Sequence, residues 1–167
     1  MLNSQKDLKN DWRDVQGWYA VSRSPEKRFE FLEHTSDAYV AAYGKSLEEA
    51  FENAALAMFE LMTDTSNVEP RTADSFQMEA HDEYALLYKW LETLLVKFEI
   101  DMRLYSRFNV VAIDKRDGVF TLEAKTYGET YSPEKHRPRV EVKAVTYHRM
   151  EIKTEPSLVT VRYILDL

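Results

Sequence analysis

Two stretches of this chain repeat apolar residues at helical spacing, while most of the remaining apolar segments read as strands. That division restricts it to folds combining a few helices with mostly antiparallel sheet. Leu47, Ala50, Phe51, Ala54, Met58, Leu61 and Met62 form the first helical stripe. Ser46-Leu47-Glu48-Glu49 precedes it with a capping-box pattern, in which the serine hydroxyl takes an orphan amide proton and Glu49 reaches back. The polar stretch Thr63 to Pro70 ends that helix. From Asp82, the residues Leu86, Leu87, Trp90, Leu91, Leu94, Leu95 and Phe98 mark a second helix of roughly five turns, ending near Asp101. Both stripes are assigned to core.

Strands are predicted around these helices. Arg28 to Glu33 and Ala38 to Tyr43 flank a polar corner, Glu33-His34-Thr35-Ser36-Asp37, and Ser75 to Ala80 alternates between the helices. Phe108 to Ile113 and Val119 to Ala124 make a hairpin about Asp117-Gly118; Val140 to Tyr147, Met150 to Thr154 and Leu158 to Leu165 follow, the last two joined by Glu155-Pro156-Ser157. The economical arrangement is an α+β fold, two helices packed on a mostly antiparallel β-sheet in a two-layer single domain. Residues 1 to 27 lack a sustained period and read as an N-terminal extension, helical or partly disordered, ahead of a domain at residues 28 to 167.

With 167 residues, 44% of them hydrophobic, the chain can fill one domain core. No apolar run reaches the ~18 residues of a membrane helix, and the polar start does not resemble a secretory signal, so a soluble, intracellular, cytoplasmic protein is expected. Having no cysteine, it can hold a metal only through oxygen or imidazole. The net charge of −7 is uneven: residues 29 to 101 carry 16 acids and 4 bases. Such an acidic middle disfavours tight binding of nucleic acid by this chain alone. Four glycines cannot assemble a phosphate-cradling or dinucleotide motif.

The densest polar chemistry lies in Glu141-Val142-Lys143-Ala144-Val145-Thr146-Tyr147-His148, in the Glu33 to Asp37 corner and in Leu165-Asp166-Leu167. These three segments suggest one composite site. Asp37 and Asp166 each sit where a strand ends, and Leu167 adds an α-carboxylate if the natural chain stops there. Oxygen ligands suit calcium or magnesium, with manganese also compatible. His34 and His148 can ligate, act as bases or bond across strands. An inward-facing Lys143 needs an acid, for which Glu141 or Asp37 is available. The residues alone leave open a metal site, a catalytic site and a set of satisfied polar groups; there is no G-x-S-x-G elbow.

Taken together, these segments resemble the archease family, small proteins that accompany the GTP-dependent, RtcB-type tRNA-splicing RNA ligase. The resemblance runs from about Arg28 to Leu167. It rests on Glu33 to Asp37, with Ser36 where the family usually has Ala, on Ser46-Leu47-Glu48-Glu49-Ala50-Phe51, on Glu134-Lys135-His136, on Glu141 to His148 and on Leu165-Asp166-Leu167. It implies an α+β domain holding a divalent ion, calcium first, on the residues matching Asp37, Asp166 and Leu167. His34, Lys143, Glu141 and His148 are then expected to support those ligands or touch the partner. It also implies a non-catalytic role: stimulating guanylylation and multiple turnover of the ligase, with tRNA met only through that ligase and no membrane involved. The competing readings are a metal-dependent phosphoesterase built on Asp37, Asp166 and His34, and a chaperone-like interaction module.

Overall fold

The computed structural model describes residues 27–167; the extension expected before the domain falls almost wholly outside the described residues. Seven strands and two long helices follow in the order β1 (Phe29–Leu32), β2 (Ala38–Gly44), α1 (Leu47–Met62), β3 (Thr72–Ala80), α2 (Glu83–Asp101), β4 (Arg103–Arg116), β5 (Val119–Thr130), β6 (Ala144–Glu155) and β7 (Leu158–Asp166), with a short 3-10 turn at Thr65–Asn67. The α+β class, both helices and the antiparallel pairing are as expected. The strands divide between two sheets, one ordered β1-β2-β7-β6 and the other β3-β5-β4. Among the described residues, no helix is long and apolar enough to cross a membrane.

Why two sheets form is legible in α1, which packs against β2 and β7 of one sheet and β4 of the other. A helix between two sheets must be apolar on more than one side, and Ala50, Phe51, Ala54, Ala55, Ala57, Met58 and Phe59 are all fully buried. The alanines keep the sheets close; Phe59 fills the space towards β4, meeting Tyr105 and Phe108 at ring separations of 5.5 and 5.6 Å. Truncating a buried aromatic of this kind costs about 3–5 kcal/mol. Two buried side chains fix α1 in place by donating to its carbonyls: Tyr163 of β7 to Ala54 at 2.6 Å and Trp90 of α2 to Phe51 at 3.1 Å.

Local signals behave as their chemistry dictates. The Ser46 hydroxyl accepts the Glu49 amide at 3.2 Å, while the Glu49 carboxylate reaches back to the amide of Lys45 at 2.6 Å. Asp82 caps α2 through the amide of Ala85. Asp117 and Gly118 both take positive φ, which a two-residue hairpin turn with the strands' own twist requires. At Gly44 a Cβ would come within 2.3 Å of the Ala50 amide, so glycine lets α1 turn directly off β2.

Several strands run longer than expected: β3 begins at Thr72, β4 spans Arg103–Arg116 and β5 continues to Thr130, and the β6 region differs in two ways. Residues 140–143 are not part of β6, because the connection from β5 is tied to the end of α1: Thr63 bridges Pro138, and the Arg139 amide donates to the Met62 carbonyl. The strands expected at 140–147 and 150–154 are one strand, Ala144–Glu155, carrying a bulge. Thr146 pairs with Ile164 and Glu151 with Arg162, so Tyr147, His148, Arg149 and Met150 oppose Tyr163 alone.

Candidate functional site

The central ladder of the four-stranded sheet brings the polar corner and the chain's last residues together. In β2 and β7, Ala38 pairs with Leu165. That pair is the last of the ladder, and the residues that follow it, Asp37 immediately before β2 and Asp166 at the end of β7, come to the same end of the sheet. Ala38 and Leu165 themselves point into the core. Sequence alternation thus sends the apolar pair inward and the acidic pair outward.

The third segment arrives from β6. Ala144 pairs with Asp166, and the Lys143 amide donates to the Asp166 carbonyl at 2.9 Å. The Lys143 ammonium bonds the Leu167 oxygen at 2.8 Å. Lys143 therefore grips both of the last residues, once through its backbone and once through its side chain. It does not pair with Glu141: the chain enters the strand only at Ala144, so the two residues do not share a strand face, and Glu141 is exposed. Leu167 itself is partly buried against the core, which anchors the end of β7 beside Asp37.

His34 completes the corner. Its Nδ1 lies 3.8 Å from Oδ2 of Asp37, beyond hydrogen-bond reach, and is buried without a partner among the described residues. The ring sits edge-on to Tyr39 at 6.3 Å. Among the described residues, no three His, Asp or Glu side chains gather as a ready-made metal cluster. A cation at this corner would accordingly draw on the two aspartates together with main-chain oxygen and water, the donor set that suits a hard ion rather than zinc. His148 stands away from the corner, exposed on the β6 bulge beyond Thr146.

Sequence reasoning missed two groupings. Glu129, Lys135 and His136 form a network beneath the β5–β6 connection. The Ser132 amide donates to Nδ1 of His136, so the opposite nitrogen, Nε2, carries the proton it gives to Glu129 at 3.0 Å. Lys135 adds a 2.6 Å bond to the same Glu129 oxygen. Burial alone would raise the Glu129 carboxyl, but the bonds from Lys135, the Glu69 amide and His136 outweigh it and hold it down at about 2. The Glu134-Lys135-His136 run was visible in the sequence, whereas its partner Glu129 lay in an unremarked strand end. The second grouping is a stack of Tyr88 on Tyr147, with centroids 4.4 Å apart. Helix spacing placed Tyr88 beside the apolar stripe, without indicating what it meets.

Comparison with known proteins identifies the family. Residues 29–167 match the Archease protein family. Curated relatives include a Protein archease of Sulfurisphaera tokodaii, 45% identical over 84% of this chain and 99% of that protein. Another, from Methanothermobacter thermautotrophicus, is 48% identical with the same coverage of both chains. A solution structure of Methanobacterium thermoautotrophicum protein 1598 superposes with a TM-score of 0.75 at 48% identity, covering 84% of this chain and 99% of that one. The chain belongs to the Archease protein family.

Proposed function

We propose that this chain is a non-catalytic, metal-binding activator of an RtcB-type tRNA-splicing RNA ligase, promoting guanylylation and multiple turnover in the cytoplasm and meeting tRNA only through the ligase. Family membership supports this reading, and one geometric observation carries it: the β2–β7 ladder ends on the pair Ala38–Leu165, which brings the next residues, Asp37 and Asp166, to the same end of the sheet. Paired anions at a surface are of little use to stability and well suited to a cation.

The residues fit a hard divalent ion, calcium or alternatively magnesium or manganese. The unpartnered Nδ1 of His34 is the structural sign of that fit, because a buried polar atom left unsatisfied costs about 1–3 kcal/mol. In the Nδ1–H tautomer it can donate to Asp37 after a small movement of the carboxylate and so orient it. Lys143 holds Asp166 and Leu167 at the same corner. When bound, a divalent ion supplies positive charge that lets an acidic surface approach nucleotide phosphates. Asp37 and Asp166 fix where that charge sits, and the rigid ladder behind them keeps them from collapsing inward.

The test is an RNA-joining assay with the cognate ligase. Addition of this protein should raise yield beyond one product per ligase molecule, and the Asp37→Ala and Asp166→Ala variants should lose that effect while remaining folded. The same purified protein, given phosphodiesters and divalent metal without ligase, should show no turnover. Turnover there would replace the activator reading with the phosphoesterase one.

A further inference from the structure

The Tyr88–Tyr147 stack carries an inference that rests on the proposed function and goes beyond the cation corner. Tyr147 begins the β6 bulge and leans one ring face on Tyr88 of α2, with an interplanar angle of 6°. It nevertheless remains 54% exposed, and Tyr84, one helical turn before Tyr88, is 40% exposed. A phenol ring held rigidly against a helix while keeping so much surface open is an organised ledge, not a filled core position. Bulges commonly re-aim side chains next to functional sites, and this one frees Tyr147 from the ladder on the helix-covered face of β6, the face opposite to the one from which Asp166 projects.

The charge around the ledge selects its occupant. Tyr88 donates to the Glu92 carboxylate at 2.9 Å, which holds that acid at the edge of the stack. Asp82 caps α2 with one oxygen and keeps its other towards His81 at 3.1 Å. Partial burial raises the Tyr147 phenol above its ordinary value, and the charges of Asp82 and Glu92 push in the same direction, so both acids are felt at the ring. The negative face of a phenol flanked by carboxylates repels phosphate and attracts a cation, and a planar guanidinium can stack and hydrogen-bond there at once. We propose that the Tyr88–Tyr147 ledge, rimmed by Asp82 and Glu92, is a docking surface for an arginine presented by the partner protein.

The test has two arms. In the first, the tyrosine ring signals of the whole chain are followed by NMR as an arginine-rich peptide, a lysine-rich peptide of equal length and a single-stranded RNA oligomer are added. The arginine peptide should shift the Tyr88 and Tyr147 signals saturably, and more strongly than the lysine peptide. Tyr147→Phe should retain the response, Glu92→Gln should weaken it, and Tyr147→Ala should abolish it at Tyr88. No response to arginine would overturn the proposal, as would a response confined to RNA, which would mark a base-stacking platform. A dilution-sensitive shift of the protein alone, lost in Tyr147→Ala, would likewise overturn it by assigning the surface to a second copy of the chain. In the second arm, Tyr147→Ala should bind the ligase roughly 3- to 30-fold more weakly with its cation affinity unchanged. Equal ligase affinity would refute the docking role. Failure of the unaltered protein to stimulate ligase would refute the proposed function instead, and the peptide arm would still decide the ledge.

Discussion

Nδ1 of His34 faces Oδ2 of Asp37 across 3.8 Å, too far for a hydrogen bond, and among the described residues it finds no other partner although it is buried. A small movement of the carboxylate would close that gap and let the ring orient Asp37.

If His34 orients Asp37, then His34→Ala should weaken calcium binding about 10-fold or more, the range for residues that support metal ligands. His34→Asn, whose amide nitrogen lies near the position of Nδ1, should retain affinity within a few-fold, and His34→Gln should not. Calorimetric titration distinguishes the three. Equal affinities in all variants would remove His34 from the site.

Lys143 makes an exposed bond to Leu167, so its loss should be mild for the fold and severe for the site. Lys143→Ala is expected to cost at most about 1 kcal/mol of stability, read as a small change in Tm. Ligase stimulation should nonetheless fall, because the last residues of β7 lose one of their two ties to the β6 entry. Undiminished stimulation would show that the grip has no functional part.

The Glu129 network predicts the acid limb of stability. A carboxyl whose folded pKa is held at about 2, against an ordinary 4.5, contributes stability that is complete above pH 4.5 and is lost as pH falls towards 2. Glu69, bonded to Arg71 and Lys135, is likewise held at about 2 and adds to the same window. Glu129→Gln should therefore be less stable at pH 7, by about 1–3 kcal/mol, and should show a shallower decline in Tm between pH 4.5 and 2. Parallel Tm profiles for the two proteins would contradict this.

Glu52 has the opposite sign. Burial raises its carboxyl above the ordinary range and the nearby Glu49 adds to the rise, although the Val110 amide, which donates to it at 2.8 Å beside the β4 bulge, opposes them. A raised folded pKa means that the ionised form destabilises the fold above the ordinary carboxylate range, a penalty that disappears as pH falls. Glu52→Gln keeps an acceptor for Val110 and should be at least as stable as the unaltered chain at pH 7, with the advantage vanishing at low pH. Glu52→Ala leaves the Val110 amide without its acceptor and should be about 1 kcal/mol less stable. Denaturant midpoints at pH 7 and pH 4 test both.

Much of this molecule was legible in its residues, for identifiable reasons. The capping box at Ser46 and the positive-φ turn at Asp117-Gly118 depend on neighbours in sequence, so their chemistry could be read directly. The α1 stripe was also legible, but not that its alanines face a second sheet: Ala55 and Ala57 are small enough to read as either buried or exposed, and only packing decides. The three polar segments could be nominated from strand ends, and the β2–β7 and β6–β7 registers then supplied their adjacency. Glu141, one of two acids the sequence offered for an inward-facing Lys143, does not pair with it: a tie to α1, 79 residues away at Glu60 and Arg139, holds the chain off the sheet until Ala144, and Lys143 is exposed. Tyr88 and Tyr147 meet through tertiary packing alone, which no local spacing encodes.

The activator role is tested most directly by counting joined RNA molecules per ligase molecule with the unaltered chain, with Asp37→Asn and with Asp166→Asn, each shown to be folded by its circular dichroism. The account expects many turnovers with the unaltered chain and no more than the ligase achieves alone with either variant. Full stimulation by both variants would contradict it.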